Sequence, residues 1–292
     1  MAPGADRADD MWSFEAIGTR WQIETDEPLP TEAQREVRAV IDRFDAEWSR
    51  FRPDSLVSRL ARGAGSVPAP ADAGTLLAVY TDLSAATSGA VNPLIGDVLE
   101  RRGYDSAYLF VDHGPVAAAK NWQERVRATD GRLVLDPPAT IDVGAIGKGL
   151  LVDLVLACVR RHVGGDIVVD ASGDLVARGT AVRVALEHPY DTTRAVGVIE
   201  LQDAALCASA VNRRVWGDGL HHVLDARTGA PVQRFAATWA VASDALHADA
   251  IATALFFDGG PELAHVWGAD WVRMTTDGRL QWAPGSKAEL FT

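Results

Sequence analysis

Residues 12 to 24 trade apolar for polar side chains at a period of two, broken once at Gly18. That period puts successive side chains on opposite faces of a strand, so the stretch predicts strand structure on both sides of a turn. After Pro30 the period lengthens. Val37, Val40, Ile41, Phe44 and Trp48 recur at helical spacing, which predicts a helix with Thr31 capping Glu32 onward. Residues 72–88 read as a second helix ending at Gly89. A long apolar helix runs over about 147–163 and stops at Gly164-Gly165. Residues 132–135, 167–170, 182–186, 196–201, 222–224 and 238–242 read as strands. The last strong helix lies in SDALHADAIATALFF, closed by Gly259-Gly260, with Pro261 opening a shorter one. Strands and helices mix without regular βαβ alternation. The expected class is therefore α+β, with mixed, largely antiparallel sheets and flanking helices. With no internal repeat or linker, residues 11–292 read as a single domain behind a disordered tail at 1–10.

Composition changes this picture in one respect. The chain has 292 residues, 48% hydrophobic and 23% charged, an ordinary globular balance. Its formal net charge, however, is −12. A surface that acidic repels phosphate backbones, so nucleic-acid binding and polybasic membrane docking are not expected. An anionic ligand would need locally placed donors, a basic residue or a divalent metal. No stretch of about 18 apolar residues is present to span a membrane. The N-terminal residues carry no basic-then-apolar signal pattern, so the cytoplasm is the expected compartment. Cys158 and Cys207 fit neither a disulfide framework nor a C-x-x-C site and read as reduced core residues. The nine tryptophans are scattered, which points to core packing.

Three segments carry chemistry. Residues 141–149, Ile-Asp-Val-Gly-Ala-Ile-Gly-Lys-Gly, join a strand-like stretch to the start of the apolar helix. Three glycines let backbone approach a ligand, the helix N-terminus offers N–H groups, and Lys148 adds a full positive charge. A pyrophosphate suits that combination; so does a turn that merely lets a helix pack closely. The segment is not a Walker A loop, which needs glycine at 142 and Ser or Thr at 149. Next, Asp249 and Thr253 lie four apart on a helix and share one face. Flanked by Leu246, Ala250, Ile251, Ala254 and Leu255, they read as oxygens on a largely buried helix. A buried carboxylate needs a cation or donors, and magnesium prefers such hard oxygens. The plainer alternative is an Asp at the helix edge with a Thr bonded to its own backbone. Finally, His221 and His222 precede a turn at 225–229 with Asx chemistry. Only one of two successive strand histidines can face a given site, as a general base or as a structural residue. Two weaker signals are the turn at 170–174 and the helix-ending loop at 88–94.

In this order the segments resemble the ApbE-type flavin transferases, the FAD:protein FMN transferase family. Ala16-Ile17-Gly18-Thr19 is similar to the family's Met-Gly-Thr strand, and residues 48–55 (WSRFRPDS) to its S-x-Y-x-x-x-S stretch. Residues 89–94 resemble G-x-F-D-P-T, 142–149 resemble D-x-G-[AG]-I-A-K-G, and 172–174 resemble G-G-D. Residues 222–231 resemble H-I-I-D-P-R-T-G-x-P, and 249–253 resemble D-A-L-S-T. The resemblance implies a flavin site in a cleft between lobes, with FAD contacts from Asp142 and Lys148. It implies further flavin contacts from Ile17, Phe51, Ala90, Val91, Asn92 and Val223. The magnesium ligands would be the Ala145 carbonyl, Asp249 and Thr253, and the catalytic residues His222 and Lys148. The implied reaction is Mg²⁺-dependent transfer of FMN from FAD to a Ser or Thr hydroxyl of an acceptor flavoprotein, with release of AMP. Hydrolysis of FAD to FMN and AMP, or FAD binding without catalysis, are the alternatives. Departures are Asn92 for Asp, Ala226 for Pro, Phe51 for Tyr, and Ser172 for Gly. A loop at 208–211, Ala-Ser-Ala-Val, stands where the family has Thr-Ser-Gly-Asp.

Overall fold

The computed structural model describes residues 11–291, so the tail expected at 1–10 lies outside the described residues. The opening strands form a hairpin, Met11–Ala16 against Thr19–Thr25, with Ala16 opposite Thr19. Its two-residue turn puts both Ile17 (φ 44°) and Gly18 (φ 75°) in the left-handed region. Such turns match the twist of the flanking strands. For a β-branched residue like Ile17, however, that backbone is strained by roughly 1–2 kcal/mol.

Among the described residues there are eight α-helices: α1 (Thr31–Trp48), α2 (Leu56–Ala61), α3 (Ala73–Ala86), α4 (Gly96–Arg101), α5 (Trp122–Arg125), α6 (Gly147–Val159), α7 (Ala245–Ala254) and α8 (Gly260–Val266). The main sheet has eight strands: the hairpin, then Ile167–Asp170, Asp174–Arg178, Ala204–Ala210, Phe235–Ala242, Asp270–Thr275 and Leu280–Trp282. Every neighbouring pair in it is antiparallel. Helices α6 and α7 cover one face, with α1 packed outside α6. On the other face lies a three-stranded sheet, Val182–Glu187, Ala195–Leu201 and Glu289–Leu290. The α+β expectation holds.

Two cores result. In strand Ala204–Ala210, Ala205 and Cys207 point into the core beneath α6 and α7, while Leu206 points into the smaller core under the three-stranded sheet. Strand Phe235–Ala242 divides likewise, Phe235 and Ala240 to one side, Ala237 and Trp239 to the other. Burial on both faces explains why these strands read as apolar runs without alternation. The loop expected at 208–211 is therefore largely the end of a sheet strand, with Ala208 opposite Trp239 and Ser209 opposite Thr238. Helix α6 is apolar nearly all round for a related reason: it touches α1, α7 and two sheet strands.

Element ends differ from the reading above for local reasons. Helix α1 starts at Thr31 itself, with Pro30 at the cap and no side-chain capping bond, so Thr31 does not cap it. Helix α3 ends at Ala86, and the Gly89 amide donates back to the Ser84 carbonyl from a left-handed backbone. Helix α6 stops at Val159 because the amides of Arg161 and His162 make three-residue turns back to Cys158 and Val159. The strand expected at 222–224 is split. Leu220–His221 pairs with Val215–Trp216, and Leu224–Asp225 with Ala230–Pro231, leaving His222 and Val223 between the two ribbons.

Candidate functional site

A cleft of 1210 Å³ opens beside the sheet, and all twelve residues expected at the site line it. They are Ile17, Phe51, Ala90, Val91, Asn92, Asp142, Ala145, Lys148, His222, Val223, Asp249 and Thr253. Its floor is the crossing of α6 and α7. At that crossing Gly149 admits no side chain: a Cβ there would lie 2.2 Å from the Ala245 carbonyl oxygen and 2.7 Å from Asp249 Cβ. The third glycine of the segment thus serves helix contact. Asp153 on α6 fixes the approach by accepting from the amides of Ala245 and Leu246, and Asp244 caps α7 by accepting from the His247 amide.

This contact seats Asp249 in the floor, 5% exposed, with Oδ2 accepting from the Gly149 amide at 2.9 Å. Lys148 Nζ lies 3.1 Å from Asp174 Oδ2 and donates to the Ala171 carbonyl. Asp174 is 1% exposed. Burial raises the Asp249 carboxyl well above the usual carboxylate range, and the nearby Asp174 charge adds to it. Burial opposes the charge on Lys148, yet Asp174 and Asp249 outweigh it and raise its pKa. With both carboxyls ionised the pocket is one positive charge short, a deficit that a proton on Asp249 or a bound cation relieves. Thr253 Oγ1 meanwhile donates to the Ala145 carbonyl at 3.2 Å, away from its own helix backbone. A carboxylate, a hydroxyl and a main-chain carbonyl are a hard oxygen set, and with the charge deficit they fit a magnesium ion. The edge-of-helix alternative for Asp249 and Thr253 does not describe this geometry.

Above the floor, Asp142 is clamped rather than free. Its Oδ1 accepts from the Gly144 amide at 2.7 Å and its Oδ2 from Arg50 Nε at 2.6 Å. Tyr80 donates its hydroxyl to the Asp142 carbonyl. The helix N-terminus offers fewer amides than expected, since Gly147 donates to the Val143 carbonyl and Gly149 to Asp249. What remains for an anion is chiefly Lys148 and the helix dipole.

The two histidines separate cleanly. His221 Nε2 faces the Val232 carbonyl at 2.9 Å and its Nδ1 accepts from the Val223 amide, so it is structural. His222 lines the cleft with a buried Nδ1 that has no hydrogen-bond partner. Burial, with the Arg214 charge second, pushes its pKa down to about 3, so its imidazole is neutral at neutral pH. Asn92 spends its side chain on the Leu94 amide and the Ala119 carbonyl, which shapes its loop. Phe51 belongs to an aromatic group: it stacks on Tyr108 at 5.4 Å and meets Tyr104 edge-on, with Arg50 4.2 Å over its ring. Arg50, Asp174, Tyr104 and Tyr108 were not singled out from sequence. Arg50 and Asp174 sat inside quoted segments, WSRF and SGD, whereas nothing in the pattern marks the two tyrosines.

Fold and site together define an α+β protein with a long cleft over a buried, cation-deficient acid–lysine floor. The description "ApbE family" matches residues 17–270, and the chain belongs to that family. A protein of Rhodobacter capsulatus named FAD:protein FMN transferase is 27% identical over 95% of this chain, and one of Treponema pallidum with the same name is 25% identical over 78%. This chain spans 58% of the first relative's length and 71% of the second's. Among solved structures, the ApbE protein of Thermotoga maritima superposes with a TM-score of 0.81 at 21% identity, covering 94% of this chain and 97% of that one. The apo flavinyl transferase ApbE of Pseudomonas stutzeri gives 0.77 at 22% identity, covering 94% of each chain. These likenesses establish the fold. Among the described residues no helix is long and apolar enough to cross a membrane.

Proposed function

We propose that this chain, as one unit over residues 11–292, is a cytoplasmic, Mg²⁺-dependent FAD:protein FMN transferase acting on a Ser or Thr hydroxyl of an acceptor protein. The observation that carries the reading is the buried floor, where Asp249, Thr253 and the Ala145 carbonyl converge beside Lys148. The names of the relatives support the choice of substrate.

Each residue has a task that its geometry suits. Asp249, Thr253 and the Ala145 carbonyl would hold the metal, and Lys148 would bind a pyrophosphate oxygen from the adjoining helix end. When bound, magnesium supplies positive charge against the phosphates and eases charge build-up at phosphorus. The hairpin residue Ile17, with Phe51, Ala90, Val91, Asn92 and Val223, would grip the flavin end, and Asp142 with its Arg50 partner would fix the loop between. His222, neutral and unpartnered, would accept the proton of the acceptor hydroxyl. That hydroxyl oxygen forms a bond to the FMN-side phosphorus, the pyrophosphate bond to AMP breaks, and AMP leaves.

The test is the intact mass of a short acceptor peptide after incubation with the protein, FAD and Mg²⁺, with an EDTA control. The peptide carries an Asp-x-x-Ser/Thr-Gly-Ala-Thr site. A metal-dependent gain of FMN less water is expected. FMN and AMP accumulating with no gain on the peptide would replace transfer by hydrolysis, and intact FAD would leave only binding.

A further inference from the structure

A second cluster of ligating side chains lies at the far end of α6 from Lys148. Cys158 lies in the last turn of α6, His162 in the turn just beyond it, and Glu36 reaches both from α1. Glu36 Oε2 is 3.1 Å from His162 Nε2 and 3.9 Å from Cys158 Sγ. All three ligand atoms lie within 4.8 Å of one another. Tetrahedral zinc, with bonds near 2.0–2.3 Å, holds its ligand atoms roughly 3.3–3.6 Å apart, so small side-chain adjustments close the set. His162 Nε2 is shielded from solvent and turned toward the Glu36 carboxylate.

We propose that Glu36, Cys158 and His162 form a second metal site, selective for Zn²⁺, that clamps α1 to α6. The donor chemistry separates it from the floor of the cleft: thiolate, imidazole and carboxylate suit zinc, whereas the oxygen set around Asp249 suits magnesium. The obstacle is Arg161, whose Nη2 donates to Glu36 Oε2 at 2.9 Å and contacts Cys158 Sγ at 3.5 Å. Its side chain is 59% exposed, and an exposed ion pair of this kind adds little to stability. Arg161 therefore swings out readily, which removes its positive charge and opens the path to Cys158. Metal binding releases the Cys158 proton to solvent and leaves one coordination position for water. The clamp joins two helices that lead at their other ends into the cleft: α1 into Arg50 and Phe51, α6 from Lys148. It does not depend on the transferase reading.

The experiment uses the tag-free, fully reduced full chain, stripped of metal and kept in excess Mg²⁺. Titration with Co²⁺ should give a near-ultraviolet thiolate-to-cobalt band. Competition against a chromophoric chelator should give one tightly bound Zn²⁺ per chain. The band should vanish in Cys158→Ala and persist in Cys207→Ala. Zn²⁺ affinity should fall at least tenfold in His162→Gln and Glu36→Gln, both at partly exposed positions where folding is not at risk. Zn²⁺ should also raise the Tm of the wild type and not that of Glu36→Gln. No band in the wild type, a band that survives Cys158→Ala, or wild-type Zn²⁺ affinity in both Gln variants would each overturn the proposal.

Discussion

The floor and the rim of the cleft are built on opposite principles. In the floor, two helices meet at Gly149 with backbone against backbone, and the Asp249 and Asp174 carboxylates beside them are nearly invisible to solvent. On the rim, Tyr108 lines the cleft, and it and the adjoining Leu109 and Phe110 stand 50%, 65% and 44% exposed, Tyr108 and Phe110 both with left-handed backbone at φ 53°. A glycine makes a close approach here too. A Cβ on Gly103 would lie 2.7 Å from the backbone of Phe110 and Val111, and Phe110 donates its amide to the Gly103 carbonyl. The same device joins two core helices in one place and folds a surface loop onto itself in the other. The floor therefore holds its charges in a close-packed setting, while the rim presents apolar rings without enlarging the core.

The largest way to break the comparison is Asp249→Asn. It removes the charge for which the metal is needed and keeps the shape, so turnover with Mg²⁺ should drop by about 10²-fold or more. The fold should survive, since the substitution also removes an excess buried charge. Turnover assays beside thermal melts decide this; turnover within tenfold of wild type would sink the metal assignment. Paired glycine variants come next. Gly149→Ala must push α6 from α7, costing about 1–3 kcal/mol as overpacking does, and should abolish stabilisation of the protein by Mg²⁺. Gly103→Ala meets a backbone clash and a left-handed φ, so it should also destabilise, yet leave the Mg²⁺-induced rise in Tm intact. Loss of the Mg²⁺ response in both variants would mean that floor and rim are one unit.

His222 lines the same cleft, and it provides a pH test. Its pKa in the fold is about 3, below the 6.5 of a free histidine. As the pH falls below about 6.5, the unfolded chain takes a proton that the folded one refuses. His222 therefore costs no stability above 6.5 and up to about 1.4 kcal/mol for each pH unit below it, until about pH 3. His222→Asn should flatten the decline of stability between pH 6.5 and 4 by that slope, measured by denaturant unfolding. An unchanged slope would mean that His222 is more open to water than its burial implies.

The same contrast governs what was legible in the sequence. Lys148 stood out in a glycine-rich helix start, and Asp249 with Thr253 as an i, i+4 oxygen pair, because both are local patterns; the crossing of α6 and α7 that brings them together is not local. Arg50 on Asp142 joins residues 92 apart in sequence, and the Lys148–Asp174 pair joins a helix to a sheet turn; no period announces either. Strands Ala204–Ala210 and Asp270–Thr275 escaped because strands buried on both faces lose the alternation that betrays a strand. The histidine question was posed by alternation but settled by the break between two short ribbons. Cys158 reads from sequence as a reduced core residue, and it is free and buried; its neighbours Glu36 and His162 appear only when α1 lies against α6.

The smallest expected effect belongs to the rim, and it tests whether those rings serve the cleft at all. Tyr108 stacks on Phe51 with only 3° between the ring planes and meets Tyr104 edge-on at 5.8 Å, yet half its surface faces water. An aromatic pair adds about 0.5–1.5 kcal/mol beyond its buried area, and half-exposure discounts the area term. Tyr108→Ala should therefore change stability by less than about 1 kcal/mol. Its ring also lines the cleft beside Phe51, so the affinity for FAD should weaken a few-fold while the rate at saturating FAD holds. Thermal melts and FAD titration measure the two separately. A large loss of stability would tie the rim to the core. Unchanged FAD affinity would place the rings outside the ligand's reach and leave the floor, with Ile17 and Phe51, to hold it.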